Sequence, residues 1–357
     1  LIVRIAGRYG VKPPPADKRW IMKISFFSAK RYDREYFERC KQGAGIEIDY
    51  FETPVNPKTA ALAAGADAVC AFVNDDLGID ALKELHDLGI RLVLLRCAGF
   101  NNVDLQATEQ LGMTVCRVPA YSPEAVAEHA IALMMTLNRR IHKAYNRTRD
   151  ANFSLEGLSG FNIHGKVAGV IGTGRIGLAV IKILRGFGCR LLAYAPQQNE
   201  AARQLGVEYV SLHQLLSHSN IITLHCPLTS ENTYMIGKSA FSQMKKGTLL
   251  INTSRGKLID SEACIEALKE GILGGLALDV YENEKDLFFE DLSAEVIRDD
   301  VFRRLSSCHN VIFTGHQAFL TAEALASIAG TTIKNALAFA NGEVTGNEVT
   351  RSVTDNS

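Results

Sequence analysis

Short apolar runs alternate with amphipathic stretches along almost the whole chain. The runs suit strands buried on both faces of a sheet, and the stretches between them, such as 35–42 and 79–88, have helical spacing. This alternation predicts an α/β fold of doubly wound parallel sheets with helices on both faces. The predicted strands are 24–27, 46–51, 68–73, 91–95, 113–118, 167–171, 190–195, 221–224, 248–251, 276–280 and 311–313.

Two features divide this pattern into two domains. The length of 357 residues suits two domains better than one. A long helix beginning at Pro123, after the cap residue Ser122, opens a second unit. The last helical segment, 322–340, has no strands of its own and is expected to return to the first domain. We therefore predict a substrate domain of residues 22–121 plus 319–357 and a dinucleotide-binding domain of residues 122–318.

The helix beginning at Pro123 has two apolar faces. Ala127, Ala130 and Met134 lie on one, and Leu133 and Met135 contribute to the other. The helix could therefore pack against another subunit or be buried within the monomer, and the sequence leaves both possibilities open.

Residues 1–21 differ in pattern from the rest of the chain. They mix basic residues with three consecutive prolines, 13–15, and show no period. They have no apolar core of the length that a signal peptide needs. We expect an upstream extension that is disordered, with the functional start at Met22.

Composition excludes several classes of protein. With 47% hydrophobic and 22% charged residues, the chain can bury substantial cores. Lys plus Arg and Asp plus Glu both number 39, so nothing predicts a nucleic-acid or anionic-membrane partner. No apolar run is long enough to span a bilayer. The eight cysteines lack metal or disulfide spacing, which predicts free thiols in the cytoplasm.

One glycine-rich segment indicates the cofactor. The sequence V-A-G-V-I-G-T-G-R-I-G, residues 167–177, reads as strand, tight turn and helix. Gly172 allows the turn, Gly174 lets the backbone approach a pyrophosphate, and Gly177 lets helix and strand pack closely. The phosphates would bind at the N-terminus of the new helix. The segment predicts dinucleotide binding.

The next strand departs from the usual pattern. An Asp or Glu at its end would bind the adenine ribose of NAD, but the chain has Ala195 there. Without a carboxylate at residue 195, the adenine ribose of NAD loses a hydrogen-bond acceptor, and the extra phosphate of NADP meets no negative charge. No arginine comes directly after this position, and Arg203 lies further on. We expect NAD as cofactor with NADP possible, and therefore a relaxed choice between them.

Charged residues follow three later strands. Arg255 in N-T-S-R-G could bind a substrate carboxylate through its planar fork and polarise the adjacent carbonyl. His316 could donate a proton to the carbonyl oxygen as hydride arrives, oriented by a carboxylate such as Glu284. This chemistry suits reduction of a 2-oxo acid. A surface arginine and a structural histidine remain the simpler interpretations.

Four segments together resemble the D-2-hydroxyacid dehydrogenase family. In chain order they are the glycine turn, N-T-S-R-G, D-V-Y-E-N-E and G-H-Q-A-F. Longer matches narrow the resemblance to the fermentative D-lactate dehydrogenases and extend it over nearly all of 22–348. They are F-V-N-D-D at 72–76, R-C-A-G-F-N-N-V-D at 96–104, R-V-P-A-Y-S-P-E-A-V-A-E-H-A at 117–130, E-N-E-K-D-L-F-F-E-D at 282–291 and G-H-Q-A-F-L-T-A-E-A-L at 315–325.

The resemblance implies a flavodoxin-like substrate domain, a Rossmann cofactor domain and reversible reduction of pyruvate to D-lactate between them. The implied catalytic residues are Arg255, Glu284 and His316. The residues implied to bind substrate are Ala98, Gly99, Tyr121, Arg255 and Phe319. Those implied to bind cofactor are Gly172, Gly174, Arg175, Ile176, Gly177, Ala195, Cys226, Pro227, Asn232, Thr253, Ser254, Arg255 and Asp279, the last by bonding the carboxamide.

The same family resemblance allows other functions. A related enzyme could act on a larger 2-oxo acid or on glyoxylate, and a dinucleotide-sensing corepressor could share the architecture. The small-pocket residues Tyr121 and Phe319 favour pyruvate. We also expect a homo-oligomer, either a dimer or a tetramer, and no bound metal.

Overall fold

The structure is a computed structural model that describes residues 21–350, without the side chain of Asp286. The predicted upstream extension, apart from Ile21, lies outside the described residues. The chain divides into two compact units: the residues up to Ser122 together with those from Thr321 onward, and Pro123–Leu320. The division predicted from the sequence, at 121/122 and 318/319, lies within two residues of these boundaries.

The first unit is built on a five-stranded parallel sheet of order β2-β1-β3-β4-β5. This is the doubly wound, flavodoxin-like order. The strands are β1 (Met22–Phe26), β2 (Ile46–Tyr50), β3 (Ala68–Ala71), β4 (Leu92–Leu95) and β5 (Thr114–Cys116), and the α-helices between them are α1 (Arg31–Cys40), α2 (Ile79–Asp87) and α3 (Leu105–Gln110).

The second unit contains a seven-stranded parallel sheet of order β12-β11-β10-β9-β6-β7-β8. Strands β6 to β11 have the Rossmann strand order, and β12 extends the sheet at the edge beside β11. The strands are β6 (Val167–Ile171), β7 (Arg190–Tyr194), β8 (Glu208–Tyr209), β9 (Ile221–Leu224), β10 (Thr248–Asn252), β11 (Leu273–Leu278) and β12 (Val311–Phe313); the α-helices are α4 (Pro123–Arg139), α5 (Ile141–Arg149), α6 (Arg175–Gly186), α7 (Glu200–Gln204), α8 (Leu212–His218), α9 (Lys238–Phe241), α10 (Ser261–Lys269) and α11 (Asp300–Ser307).

The last helix, α12 (Ala322–Asn341), packs on α1 and β4 and so completes the first unit. Its ends are defined locally. The Thr321 hydroxyl accepts a hydrogen bond from the Ala324 amide, and Gly342 ends the helix in the left-handed region at φ +71°. The predicted fold class, two doubly wound parallel-sheet domains, is confirmed.

Helix α4 is buried within its own unit. Ala130, Met134 and Leu137 belong to a core that also contains Val170 of β6 and Val180 of α6. Of the two possibilities that the sequence left open, burial within the monomer accounts for this face.

The bounds of the predicted strands other than β11 lie within two residues of the prediction, and two strands depart further from it. Strand β8 was not predicted, because two residues carry too little pattern. Strand β11 begins at Leu273 rather than 276, because the glycines at its start allow close packing. A Cβ on Gly274 would lie 2.5 Å from the Gly247 carbonyl oxygen, and one on Gly275 would lie 2.9 Å from the Leu137 side chain.

Between residues 21 and 350, no helix is both long enough and apolar enough to cross a membrane. The same residues contain no cluster of three potential metal ligands among His, Cys, Asp and Glu. None of the eight cysteines, all of which lie between residues 21 and 350, forms a disulfide.

Candidate active site

The three predicted catalytic side chains come after three neighbouring strands of the second sheet. Arg255 follows β10, Glu284 follows β11 and His316 follows β12. Because these strands are parallel, their carboxyl ends share one edge of the sheet, which is where ligands bind in open α/β folds.

His316 and Glu284 form a direct pair. The imidazole Nδ1 lies 2.9 Å from Glu284 Oε1. The other carboxylate oxygen, Oε2, accepts a hydrogen bond from the Tyr281 amide at 3.1 Å. Since the carboxylate accepts from Nδ1, we assign a proton to that nitrogen. The Nε2 atom has no hydrogen-bond partner among the described residues, so it is the nitrogen available to a substrate.

The backbone at His316 has a left-handed conformation, φ +52°. For a residue other than glycine this conformation costs on the order of 1 kcal/mol. The His316 amide donates to the Asp279 carbonyl at 2.8 Å. The Asp279 carboxylate accepts from the amides of Gln317 and Ala318, each at 2.9 Å. Residue 279 therefore fixes the turn that presents the imidazole.

Asp279 has no exposed surface. Burial alone would raise the pKa of this carboxyl, but hydrogen bonds from His129, Thr314 and the two amides hold the pKa below its usual value. The group is thus ionised and surrounded by protein donors. Its predicted bond to the cofactor carboxamide stays a prediction.

Arg255 lies in a turn fixed by Asn252. The Asn252 side chain donates to the Arg255 carbonyl at 2.9 Å and accepts from the Ser254 amide at 2.9 Å. The next residue, Gly256, packs against the chain that leads to Glu284, since a Cβ there would lie 2.1 Å from the Tyr281 carbonyl carbon. The half-buried guanidinium bonds only the Ser254 carbonyl within the described chain.

The glycine turn joins β6 to α6. Gly172 has φ +92°, and a Cβ there would lie 2.6 Å from the His225 backbone. A Cβ on Gly177 would lie 2.0 Å from the Gly172 carbonyl oxygen, so helix and turn touch directly. Gly174 faces open space, and α6 begins there without a side-chain cap. Its first amides and the exposed Arg175 are therefore free for an anion, while Ile176 is half-buried.

The loop after β7 is tied to the glycine turn. Asn199 donates to the Thr173 carbonyl at 2.8 Å, and the Tyr209 hydroxyl donates to Thr173 Oγ1 at 2.9 Å. Exposed Arg203 donates to Gln198 and lies 5.7 Å from the centre of the Tyr209 ring. Ala195 is half-buried where this loop begins.

Five further predicted cofactor residues lie in the segments that follow β9 and β10. The Ser254 hydroxyl donates to the Cys226 carbonyl, which joins the two strand ends. The Thr253 hydroxyl is buried and has no hydrogen-bond partner among residues 21–350. The Asn232 side chain closes its own loop, donating to the Pro227 carbonyl at 2.8 Å and accepting from the Thr229 amide at 2.7 Å.

The predicted substrate residues fall in both units. Ala98, Gly99 and Tyr121 belong to the first and are half-buried. Arg117 donates to the Ala98 carbonyl at 3.0 Å and so fixes the 98–99 loop. Phe319 belongs to the second unit and is buried.

Sequence reasoning missed two residues near the predicted catalytic histidine, His316. His129 Nε2 lies 3.1 Å from Thr314 Oγ1 and 3.3 Å from Asp279 Oδ1. Thr314 directly follows a predicted strand, which was a usable signal. His129 lies 185 residues from Thr314 in sequence, in a helix that also carries Glu124 and Glu128, so no local signal indicated its partner.

A Rossmann unit that carries an arginine and a histidine–carboxylate pair beside a glycine turn defines a nicotinamide-dependent dehydrogenase site. The model of the D-isomer specific 2-hydroxyacid dehydrogenase NAD binding domain matches residues 131–318. The chain belongs to the D-isomer specific 2-hydroxyacid dehydrogenase family.

Individual relatives match over nearly the whole chain. D-lactate dehydrogenase of Escherichia coli is 60% identical over 328 residues, which are 92% of this chain and 100% of that protein. The apo-structure of D-lactate dehydrogenase from E. coli has a TM-score of 0.85 at 57% identity, covering 92% of this chain and 100% of that one. D-lactate dehydrogenase from Aquifex aeolicus, complexed with NAD and lactic acid, has a TM-score of 0.82 at 33% identity, covering 91% and 98%.

Proposed function

We propose that this protein is an NAD-dependent D-lactate dehydrogenase that reduces pyruvate to D-lactate and catalyses the reverse reaction. The observation that carries the proposal is the His316–Glu284 pair, 2.9 Å apart, at the sheet edge that also holds Arg255. Identity of 60% to a D-lactate dehydrogenase along that relative's full length supports the activity.

The roles of the residues follow from their chemistry. The Arg255 guanidinium binds the substrate carboxylate through two parallel hydrogen bonds and polarises the neighbouring keto group. His316 gives the Nε2 proton to the keto oxygen, and Glu284 keeps the ring oriented with its other proton on Nδ1. In the reverse direction His316 takes the hydroxyl proton of D-lactate. The nicotinamide, when bound, supplies or accepts the hydride.

The cofactor fits this unit. The uncapped start of α6 and the open space at Gly174 accommodate a pyrophosphate, with Arg175 adding a positive charge. NAD is supported by the family model and by a relative's structure complexed with NAD.

We further propose that NADPH is also accepted. Ala195 places no carboxylate at the end of β7, and Arg203 supplies an exposed positive charge on the following helix. Ala195→Asp should lower kcat/KM for NADPH relative to NADH by about tenfold or more, because a carboxylate repels the extra phosphate. Ala195→Asn is the neutral control of the same size. If kcat/KM for NADPH relative to NADH were the same in both variants, the proposal would be contradicted.

The decisive experiment is pyruvate-dependent oxidation of NADH and of NADPH, with the chirality of the product determined. D-lactate is expected, and L-lactate or no turnover would overturn the proposal. A side-chain series from glyoxylate through pyruvate to larger 2-oxo acids tests the rival substrates. Tight NADH binding without turnover of any 2-oxo acid would favour the corepressor.

The remaining proposals concern assembly and location. We propose a homo-oligomer, because Ile141, Tyr145, Phe153 and Leu155 are large apolar side chains left exposed in one segment of the second unit. Light scattering on the wild type and on Phe153→Ser tests this proposal. A monomeric wild type would contradict it. Eight cysteines with no disulfide among them in the described residues support a reducing compartment, the cytoplasm, and lactate formation there suits fermentation.

A further inference from the structure

We infer that His129 is a positioning residue for the general acid His316, acting through Asp279 and Thr314. The inference rests on the proposed function, because it concerns the same proton transfer. It depends on a chain of hydrogen bonds within the second unit. The chain runs from α4 through the buried carboxylate to the turn that holds the imidazole.

The first link is the contact between His129 and Thr314. The Thr314 hydroxyl lies 2.5 Å from Asp279 Oδ1 and 3.1 Å from His129 Nε2. Two oxygens this close need a proton between them, and Asp279 is ionised, so the Thr314 proton points to the carboxylate. Thr314 then has only lone pairs to offer His129. We therefore assign a proton to His129 Nε2, which donates to Thr314 and, at 3.3 Å, to Asp279.

The second link is the donor set of Asp279. Its Oδ1 faces His129, Thr314 and the Gln317 amide, and its Oδ2 accepts from the Ala318 amide. A carboxylate with no exposed surface depends on these donors, because protein groups rather than solvent satisfy its oxygens. Among the described donors to Asp279, Thr314, Gln317 and Ala318 all follow β12, whereas His129 comes from helix α4.

The third link is the turn itself. His316 keeps a left-handed backbone because the Asp279 carbonyl bonds its own amide while the carboxylate bonds the next two. If Asp279 lost a donor, the carboxylate would turn toward the remaining ones and shift residues 316–318. A shift of about 1 Å at a reacting group can cost on the order of a hundredfold in rate. Because a misplaced general acid slows the chemical step, the effect should be larger in turnover than in cofactor binding.

Two substitutions of His129 distinguish the loss of its hydrogen-bond donor from the loss of the volume that its ring fills. In His129→Leu no donor remains at this position, and we expect kcat for pyruvate reduction to fall by about tenfold or more, with a smaller change in KM for NADH. In His129→Gln the amide nitrogen can take the place of Nε2, and most of kcat should return. His309→Leu removes an exposed imidazole of the same unit and should leave kcat unchanged.

The primary deuterium isotope effect on kcat distinguishes positioning from a general structural role. With 4-deuterated NADH the effect should rise in His129→Leu, because proton and hydride transfer become slower than the other steps. A thermal unfolding curve shows whether each variant is folded. An unchanged isotope effect and kcat in a folded His129→Leu protein would overturn the inference, and equal loss in both variants would assign the effect to packing.

Failure of the proposed function would look different. If the wild type reduces no 2-oxo acid, the proposed function is wrong, and the crystal structure of His129→Leu decides the positioning alone. The inference predicts a displaced 316–318 turn and a His316–Glu284 distance longer than the wild-type 2.9 Å. An unmoved turn would overturn it.

Discussion

Both sheets place charged groups at the carboxyl ends of their strands, yet the two groups differ in accessibility. In the first unit, Arg96 follows β4 and Asp75 follows β3, with 2% and 1% of their surfaces exposed. In the second unit, the His316 and Glu284 side chains keep 18% and 19% exposed. The first group is enclosed by protein and the second can meet a ligand.

The enclosure in the first unit is complete on every side of the arginine. The Arg96 guanidinium carbon lies 4.5 Å from the ring centres of both Phe26 and Phe72. Its Nε is 3.4 Å from Asp33, and Nη2 donates to the Ser28 carbonyl at 2.7 Å. Burial would lower the pKa of Arg96, but the surrounding acidic groups raise it. A strand-end charge is therefore structural when protein surrounds it, and position on the sheet alone does not assign chemistry.

The largest expected effect is the loss of stability in Arg96→Met. Removing the guanidinium leaves two buried carboxylates, Asp33 and Asp75, without their counter-charge, which should cost about 3–5 kcal/mol of unfolding free energy. Urea denaturation measures the loss. Arg39→Met, which breaks an exposed pair with Glu35, should cost only about 0.3–0.5 kcal/mol. If Arg96→Met cost no more than this control, the arginine would not be structural.

His316→Asn tests the accessible group. Asparagine tolerates the left-handed backbone at this position, so the fold should survive. Loss of the proton donor should lower kcat by about a thousandfold, equivalent to about 4 kcal/mol, with NADH binding retained. Steady-state kinetics and NADH fluorescence measure the two quantities. A variant with near-native turnover would remove the imidazole from the mechanism.

Arg255→Lys should have the next largest effect. An ammonium keeps the positive charge but cannot form the two parallel bonds of a guanidinium. We expect kcat/KM for pyruvate to fall by about a hundredfold, with contributions from both KM and kcat. Arg203→Lys is the control for an exposed arginine of the same unit and should leave kcat/KM for pyruvate with NADH unchanged. Equal kinetics in the two variants would refute substrate binding by residue 255.

The sequence predicted the fold because buried parallel strands read as short apolar runs. Strands β6, β9 and β12 have the predicted bounds. It could not predict β8, which consists of two residues and owes its place to the neighbouring β7. Local pattern determines an element only when the element is long enough to show a period.

For the site, the sequence located residues that come after strands but not the partners that position them. Motif order brought Glu284 and His316 together as candidates, and their contact is a tertiary fact. His129 could not be paired with Asp279, because α4 packs against β11 only in the folded sheet. The sequence also could not show that Arg96 is structural while Arg255 can meet a ligand, because the two arginines differ in burial.

His225 gives a smaller, pH-dependent test of the second unit. It follows β9, with Nε2 2.8 Å from the Thr223 hydroxyl and with no partner for Nδ1 in the described part of the chain. Burial lowers its pKa from 6.5 to about 3. Below pH 6.5 the unfolded chain therefore binds a proton that the folded protein refuses until about pH 3. The unfolding free energy should fall by about 1.4 kcal/mol per pH unit in this window, or about 2 kcal/mol between pH 6.5 and pH 5.

Urea denaturation at several pH values compares His225→Gln with the wild type. The variant has no proton to bind, so its stability should fall less steeply between pH 6.5 and pH 3 and run parallel to the wild type above pH 6.5. Asp279 affects the unfolding free energy only at lower pH. A carboxyl whose pKa is lowered in the folded protein stabilises the fold until the pH falls through that pKa. His213→Gln removes an exposed histidine and should keep the wild-type slope. Identical slopes in all three proteins would mean that His225 is solvated and that the second unit is more open at β9 than its neighbours indicate.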